Sequence, residues 1–226
     1  GTVALDNINL TLNANERICV AGYNRSGRAT LVSILAGMRF DFEGYLKFNG
    51  VPFGNLKLES LRHWIGDYSP EETIIPGTLI DNICLGHPDV QFEDIRWALE
   101  LANLDSWIGE QTKGFDTELL AEGLNVPRSV RVRLLLARAI IRKPRLLVLG
   151  SLLEQLEPAI RNNIMKGLTK EECAWTLLVV SNDPNVARTC DRALVMRKGR
   201  IIHDGDPVAL IADPATSEVW NTLNNQ

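Results

Sequence analysis

The stretch VAGYNRSGRATLVSILAG, residues 20–37, decides the fold of this chain. An apolar run ends at Gly22, a polar turn follows, and apolar residues at helical spacing then continue to Gly37. A strand, a glycine-containing turn and a helix in this order are typical of a loop that binds phosphate through its backbone N–H groups. However, Arg28 and Ala29 stand where a working loop of this kind carries a lysine and a hydroxyl residue.

The patterns on either side of this stretch predict an α/β domain. The runs ALDNINLTL, ERICVAG and GYLKFNG predict early strands, and the apolar runs RLLVLG and TLLVVSN predict parallel strands buried on both faces. The segments LIDNICLG, FEDIRWALELANL and VRVRLLLARAII have helical spacing and predict a separate helical lobe between those two groups of strands. Strands with helical crossovers indicate an α/β core.

Composition narrows the class of protein. The chain has 226 residues, 45% of them hydrophobic, and a net charge of −4, which gives no reason to expect nucleic acid as a partner. Its four cysteines are scattered without a C-x-x-C pair, so we expect neither a metal site nor a disulfide framework. No apolar run approaches the roughly 20 residues of a membrane span. Because Gly1 leads almost directly into a strand-like alternation, we expect a domain excised from a larger protein.

Four landmarks now stand in one order, and that order resembles the nucleotide-binding domain of ABC transporters, in particular of the exporter type. They are LDNINLTLNANERICVAG, LESLRHWIGDYSPEETIIPGTLIDNI, GFDTELLAEGLNVPRSVRVRLLLARAIIRKPRLLVLG and TCDRALVMRKGRIIHDGDP. In that order they resemble the first strands of the family, its Q-loop region, its run from the X-loop through the signature helix to the Walker B strand, and its closing hairpin. The resemblance covers nearly the whole chain.

The resemblance implies an α/β fold of the ABC-type P-loop ATPase kind, with a mixed β-sheet core, a helical lobe and an N-terminal antiparallel β element. One domain would then span residues 1–226. Its parts would be a β subdomain with the first part of the core (1–77), the helical lobe (78–139), the second part of the core (140–206) and a C-terminal helical tail (207–226).

The phosphate loop departs from the family pattern. Arg25 replaces an internal glycine, Arg28 the lysine and Ala29 the magnesium-binding hydroxyl residue. Arginine is a planar fork and lysine a compact charge, so the exchange at position 28 is not conservative. The residual loop consists of Gly22, Arg25, Ser26, Gly27, Arg28, Ala29 and Thr30.

The other motif positions implied by the resemblance are replaced as well. Gly150 and Ser151 stand at the two Walker B acids, Pro70 at the Q-loop glutamine and Asn182 at the switch histidine. The position of the signature motif is occupied by Val126-Pro127-Arg128-Ser129-Val130, so both glycines and the serine of that motif are replaced. Pro127 also removes a backbone donor where a helix N-terminus would face phosphate. We therefore expect no catalytic residue at these positions and no metal ligand.

Several residues allow two interpretations. The loop arginines could form a surviving anion site, or they could fill the empty phosphate space and pair with nearby carboxylates; we favour the second. Glu154 and Glu157 could include a displaced catalytic carboxylate, but we expect solvated loop charges. We expect the histidines to lie at the surface, the tryptophans to pack in the core or the lobe, and the arginines of the signature helix to form an exposed face.

We expect a pseudo-ATPase module with a structural or regulatory role in an exporter-like membrane transporter. The resemblance implies as partners a transmembrane domain and a second nucleotide-binding domain, with this domain at the cytoplasmic face of the membrane. No cofactor is expected, although ATP and magnesium could bind weakly. The alternatives are a weakly active ATPase, in which Arg28 substitutes for lysine and another carboxylate recruits magnesium, and a nucleotide sensor that binds without hydrolysis.

Overall fold

The structure of the chain, a computed structural model, describes residues 3–57, 61, 63–68, 73–87 and 89–220. Within these residues the strands are β1 Arg17–Gly22, β2 Lys47–Phe48, β3 Val51–Pro52, β4 Ile65–Tyr68, β5 Gly77–Thr78, β6 Glu118–Leu119, β7 Leu146–Leu149, β8 Thr176–Val180, β9 Arg192–Arg197 and β10 Arg200–Gly205. The helices are α1 Arg28–Leu35, α2 Leu79–Cys84, α3 Phe92–Leu101, α4 Asp105–Gly109, α5 Arg128–Ile140, α6 Pro158–Leu168, α7 Pro184–Ala187, α8 Pro207–Ala212 and α9 Ser217–Trp220. A 3₁₀ turn spans Ser151–Gln155.

The main sheet has six strands in the order β10-β9-β1-β8-β7-β4. β4, β7, β8, β1 and β9 run parallel, and β10 pairs antiparallel with β9 at one edge. The carboxyl ends of the parallel strands therefore meet at one end of the sheet, where open α/β sheets place their ligands. This mixed sheet with helices confirms the predicted α/β fold class.

Alternate residues of the central strands build two apolar layers. Cys19, Leu147 and Leu177 belong to the larger layer, which also contains the buried faces of α2 to α6. Ile18 and Val20 belong to the smaller layer, which contains the buried face of α1. Strands covered on both faces explain why RLLVLG and TLLVVSN are almost wholly apolar. Within the described residues, no helix is long and apolar enough to cross a lipid bilayer.

The predicted N-terminal strand ALDNINLTL is wrong, because the structure assigns no strand to residues 3–16. The alternation in this segment is real, since Ile8, Leu10 and Leu12 pack against the smaller apolar layer while the residues between them are exposed. Asn7, however, adopts a left-handed conformation (φ 52°), which interrupts an extended chain. The predicted antiparallel β element is consequently reduced to the short hairpin β2–β3.

Candidate functional site

The glycine-containing loop lies at the carboxyl end of the sheet, between the end of β1 at Gly22 and the start of α1 at Arg28. The backbone N–H of Tyr23 donates to the carbonyl of Met196 on β9 (3.2 Å). A Cβ at Gly22 would lie 2.5 Å from the same carbonyl oxygen, so only glycine fits there. The neighbouring strand thus sets the path of the loop at its first residue.

The second glycine of the loop packs against the N-terminal segment and the β9–β10 turn. Gly27 has φ 95°, and a Cβ there would lie 2.5 Å from the carbonyl oxygen of Ala4. Gly199 in the β9–β10 turn donates to the Ser26 carbonyl (3.0 Å) and accepts from the Asp6 N–H (2.9 Å). We call this group of contacts among residues 4–6, 26–27 and 199 the loop clasp. It fixes the shape of the loop without any ligand.

Arg28 folds back onto the end of β8. Its Nη1 donates to Oδ1 of Asn182 (2.7 Å), and the N–H of Gly22 donates to the same oxygen (3.0 Å). The Asn182 amide also donates from Nδ2 to the Gly22 carbonyl (3.1 Å), and its backbone N–H donates to Oε1 of Glu154 (3.3 Å). We call this connected set of Gly22, Arg28, Glu154 and Asn182 the Arg28 bridge. It joins the loop, the switch position and the 3₁₀ turn after β7.

The charges in this bridge are partly withdrawn from water. Burial lowers the pKa of the Arg28 guanidinium, while the negative charge of Glu154 opposes that shift. Burial raises the pKa of the nearby Cys19 thiol well above its usual range, and Cys190 adds to that effect. Glu154 is half-buried and bonded to Asn182, so the prediction that it is a solvated loop charge is wrong; Glu157 is exposed as predicted.

The residues at the expected metal positions do not fit magnesium. Ala29 offers only a methyl group, Gly150 has no side chain, and Ser151 is an exposed hydroxyl residue at the start of the 3₁₀ turn. Magnesium in proteins is held through carboxylates, substrate phosphates and water. Among the described residues, no group of three or more histidine, cysteine or acidic side chains could hold a metal ion.

One polar atom in the loop remains unsatisfied. Ser26 is 2% exposed, and its Oγ has no hydrogen-bond partner. Arg25 is exposed and holds a left-handed backbone conformation (φ 58°), which is uncommon for a residue other than glycine. The first N–H groups of any helix lack intrahelical partners. By that general rule the start of α1 offers backbone donors to an anion, whereas Arg28, one of the two arginines of the loop, is engaged with Asn182.

The signature residues lie at the start of α5. Pro127 is the N-cap residue of this helix and is exposed, and no side chain caps the helix there. Arg128 donates through Nε to Oε1 of Gln155 (3.0 Å), in the 3₁₀ turn of the same chain. Ser129 is half-buried, and its carbonyl accepts from Nε of Arg133 (3.0 Å). Within the chain, the structure brings Arg128 to the turn that also carries Glu154.

A buried ion pair includes Asp183, the residue that follows the switch position Asn182. Arg161 on α6 contacts the carboxylate of Asp183, and both side chains are almost fully buried, 6% and 5% exposed. Asp183 also caps α7 by accepting from the N–H of Asn185 (2.8 Å). Sequence reasoning missed this pair, because neither residue belongs to a motif with recognisable spacing.

Other sequence predictions have mixed outcomes. Pro70, at the Q-loop position, lies outside the described residues. Arg133 is 8% exposed and donates to the Asn103 carbonyl (2.6 Å), so the expectation of an exposed arginine face on α5 is wrong at this position.

His63 and His87 are exposed as predicted, whereas His203 is half-buried. The tryptophans pack against the core as predicted, apart from Trp64, which is 43% exposed; the packed set is Trp97, Trp107, Trp175 and Trp220.

Comparisons with known proteins agree with this architecture. A family model described as "ABC transporter" matches residues 5–150. The chain is 34% identical over 210 residues to the Mesentericin-Y105 transport/processing ATP-binding protein MesD of Leuconostoc mesenteroides, a match that covers 91% of this chain and 28% of that protein. It is 26% identical over 212 residues to the Alpha-hemolysin translocation ATP-binding protein HlyB of Escherichia coli, covering 94% of this chain and 30% of that protein.

A solved structure shares the fold. A bacterial Atm1-family ABC exporter with ATP bound superposes with a TM-score of 0.90 at 20% sequence identity, over 99% of this chain and 40% of that chain. This chain spans less than a third of the length of the two curated relatives above.

Proposed function

Because the chain belongs to the ABC transporter family, we propose that it is a nucleotide-binding domain of an exporter-like membrane transporter that has lost the groups needed for ATP hydrolysis. In this proposal the domain is a pseudo-ATPase with a structural or regulatory role in transport. Its partners are a transmembrane domain and a second nucleotide-binding domain, and it sits at the cytoplasmic face of the membrane. Nucleic acid is not among the expected partners, since the net charge is −4.

The Arg28 bridge is the observation that carries the proposal. Arg28 donates to Asn182 (2.7 Å) rather than presenting a free cation to the loop. A phosphate entering the loop would have to displace this contact or bind without it. The Arg28 guanidinium is thus stabilised within the chain, by the side-chain oxygen of Asn182 and by the negative charge of Glu154.

The chemistry of hydrolysis supports the same conclusion. A general base must lie within hydrogen-bond reach of the attacking water, and its loss typically costs about 10²- to 10⁴-fold in rate. Gly150 and Ser151 supply neither that base nor a charged magnesium ligand. Glu154 is the carboxylate within the Arg28 bridge, but its Oε1 accepts the Asn182 N–H. ATP is therefore expected to bind weakly and without a requirement for magnesium.

A nucleotide sensor is the second candidate function, and Ser26 favours it. Its buried Oγ lacks a partner, and a helix N-terminus, such as the start of α1, is in general a site where backbone N–H groups can bind an anion. A sensor would bind ATP measurably and release no phosphate. Equilibrium binding of ATP, with and without magnesium, separates this function from the proposed pseudo-ATPase.

A phosphate-release assay on the purified chain tests the proposal. We expect ATP turnover no faster than a buffer control. The matched variant Arg28→Ala with Glu154→Gln removes both charges of the Arg28 bridge. Magnesium-dependent turnover that survives in this variant would indicate a contaminating ATPase, and turnover that disappears with these two charges would refute the proposal in favour of a weakly active ATPase.

A further inference from the structure

The side-chain amide of Asn182 holds both ends of the phosphate loop from the end of the neighbouring strand β8. Its Oδ1 accepts from the N–H of Gly22 (3.0 Å) and from Nη1 of Arg28 (2.7 Å), and its Nδ2 donates to the Gly22 carbonyl (3.1 Å). The opposite orientation of the amide would turn an NH₂ group towards two donors, so these partners fix the oxygen against Arg28. The amide therefore joins the start of the loop at Gly22 to the cation at its end.

The contact offers Arg28 what a bound oxyanion would offer it. A guanidinium only donates hydrogen bonds, and those that it forms with carboxylate or phosphate oxygens are about 2.7–2.9 Å long. Asn182 supplies an oxygen at 2.7 Å but no charge. Burial lowers the pKa of Arg28, and the negative charge of Glu154 acts against this shift. Two side chains thus supply separately the oxygen and the charge that an oxyanion supplies in one group.

The rest of the loop has its shape independently of this contact. The loop clasp holds the backbone at Ser26 and Gly27 through bonds and close approaches that do not involve Arg28. Ser26 is 2% exposed, its Oγ has no hydrogen-bond partner, and a Cβ on Gly22 would lie 2.9 Å from that oxygen. The hydroxyl therefore faces the start of the loop. Helix N-termini in general bind oxyanions through backbone N–H groups, and an oxyanion in this loop would also give the buried hydroxyl an acceptor.

From these contacts we propose that the Arg28 bridge is an autoinhibitory latch, in which Asn182 and Glu154 hold Arg28 in the place of an oxyanion. Release of the Asn182 amide turns the loop into a binding site for the phosphate groups of a phosphate compound. The latch rests on the proposed function, since it acts on the same phosphate loop. It adds that weak anion binding is maintained by a removable contact, in addition to the replaced motif residues.

A purely structural role for the bridge makes a different prediction. If Arg28 only fills the space of the loop, its bond to Asn182 stabilises the fold, and removal of that bond gives no gain in anion affinity. If the bridge is a latch, the same removal returns Nη1 of Arg28 to the loop as a charged donor. Anion affinity after loss of the Asn182 amide therefore distinguishes the two roles.

Calorimetric titration of the full chain with inorganic pyrophosphate, in buffer without magnesium, measures this affinity. Asn182→Ala removes the side-chain contacts and keeps the backbone N–H that Glu154 accepts. From the usual strength of a hydrogen bond to a charged group, we expect this variant to bind pyrophosphate about tenfold tighter than the parent chain. Glu154→Gln removes the charge and keeps an acceptor oxygen, so a smaller gain of about threefold is expected. Asn185→Ala changes an exposed asparagine on α7 and is the matched control, with unchanged affinity.

A double variant and a second ligand locate the gain. Arg28→Ala combined with Asn182→Ala should bind pyrophosphate no tighter than the parent chain, because the gain requires the guanidinium. ATP in place of pyrophosphate should show the same gain in Asn182→Ala, since the latch controls only a phosphate contact. A gain for ATP without one for pyrophosphate would assign the effect to the nucleoside and overturn the proposal.

Thermal unfolding of each variant shows whether its affinity can be interpreted. The latch is wrong if a folded Asn182→Ala variant binds pyrophosphate no better than the parent chain, or if the double variant keeps the gain. If Asn182→Ala does not fold, Glu154→Gln decides, and unchanged affinity in that variant refutes the latch. ATP turnover by the parent chain would instead refute the proposed pseudo-ATPase, so the two proposals fail by different measurements.

Discussion

Replacing Arg161 with methionine tests how strongly the buried ion pair supports the switch position. The two side chains are 6% and 5% exposed, so removal of the guanidinium leaves the Asp183 carboxylate buried and uncompensated. Breaking one half of a buried pair costs about 3–5 kcal/mol in the free energy of unfolding. Asp183 retains one partner, the Asn185 N–H at 2.8 Å. We therefore expect a loss near the lower end of that range.

Thermal unfolding followed by circular dichroism measures this loss. For a chain of this size, each kcal/mol lowers Tm by about 2–4 °C, so a loss of about 3 kcal/mol should lower the melting temperature of the variant by about 6–12 °C relative to the parent chain. Lys170 and Glu172 form an exposed pair at 3.6 Å, and Lys170→Met is the matched control. It should melt close to the parent chain, because exposed pairs contribute little.

A double variant tests whether the two buried charges are coupled. Asp183→Asn keeps an oxygen that can cap α7 and removes the negative charge, so on its own it leaves Arg161 unpaired. Combined with Arg161→Met it should cost less than the sum of the single changes, since no buried charge remains. Strict additivity, or a single Arg161→Met variant as stable as the parent chain, would refute the account of this pair.

Three further outcomes follow from the described geometry. Phosphate or ATP bound at residues 22–30 should bind weakly, with strong salt dependence and without magnesium, because only backbone donors and guanidinium groups remain; calorimetry showing tight, magnesium-dependent binding would contradict this. ATP should not dimerise the domain, and Arg28→Lys with Ala29→Ser should not change that, because the signature residues are replaced too and a ligand shifts an equilibrium only by its differential affinity; sedimentation with and without ATP measures it. A thiol reagent near about pH 8 should label the half-buried Cys84 before Cys190, since burial raises the pKa of the Cys190 thiol to about 12; mass spectrometry of labelled peptides would show the reverse order if this is wrong.

The sequence predicted the strands and helices whose apolar residues follow one period without interruption. RLLVLG and TLLVVSN became β7 and β8 because burial on both faces requires an apolar residue at nearly every position. The segment before β1 also alternates, but alternation specifies a buried face and not a pairing partner. Asn7 breaks the extended chain there, and nothing in the local pattern reveals its left-handed conformation.

The site was predicted in part. The strand, turn and helix around Gly22 and Arg28 follow from local spacing, which identifies positions but not contacts. The partner of Arg28 is Asn182, 154 residues further along the chain. Only the parallel pairing of β1 with β8 brings these residues together. The burial of Arg133 was not predicted for the same reason, because the carbonyl that accepts its hydrogen bond belongs to Asn103, which lies outside α5.

The loop clasp has a consequence for how such a domain changes over generations. A side chain at Gly27 or Gly199 would run into the carbonyl oxygen of Ala4, at 2.5 Å and 2.8 Å. Selection for folding alone would therefore retain both glycines, with or without selection for nucleotide chemistry. The restriction is specific to these two glycines, whereas Arg28 and Ala29 both carry side chains. The glycines of such a loop therefore indicate selection for folding. The residues beside them are the ones that indicate whether ATP binding is also selected.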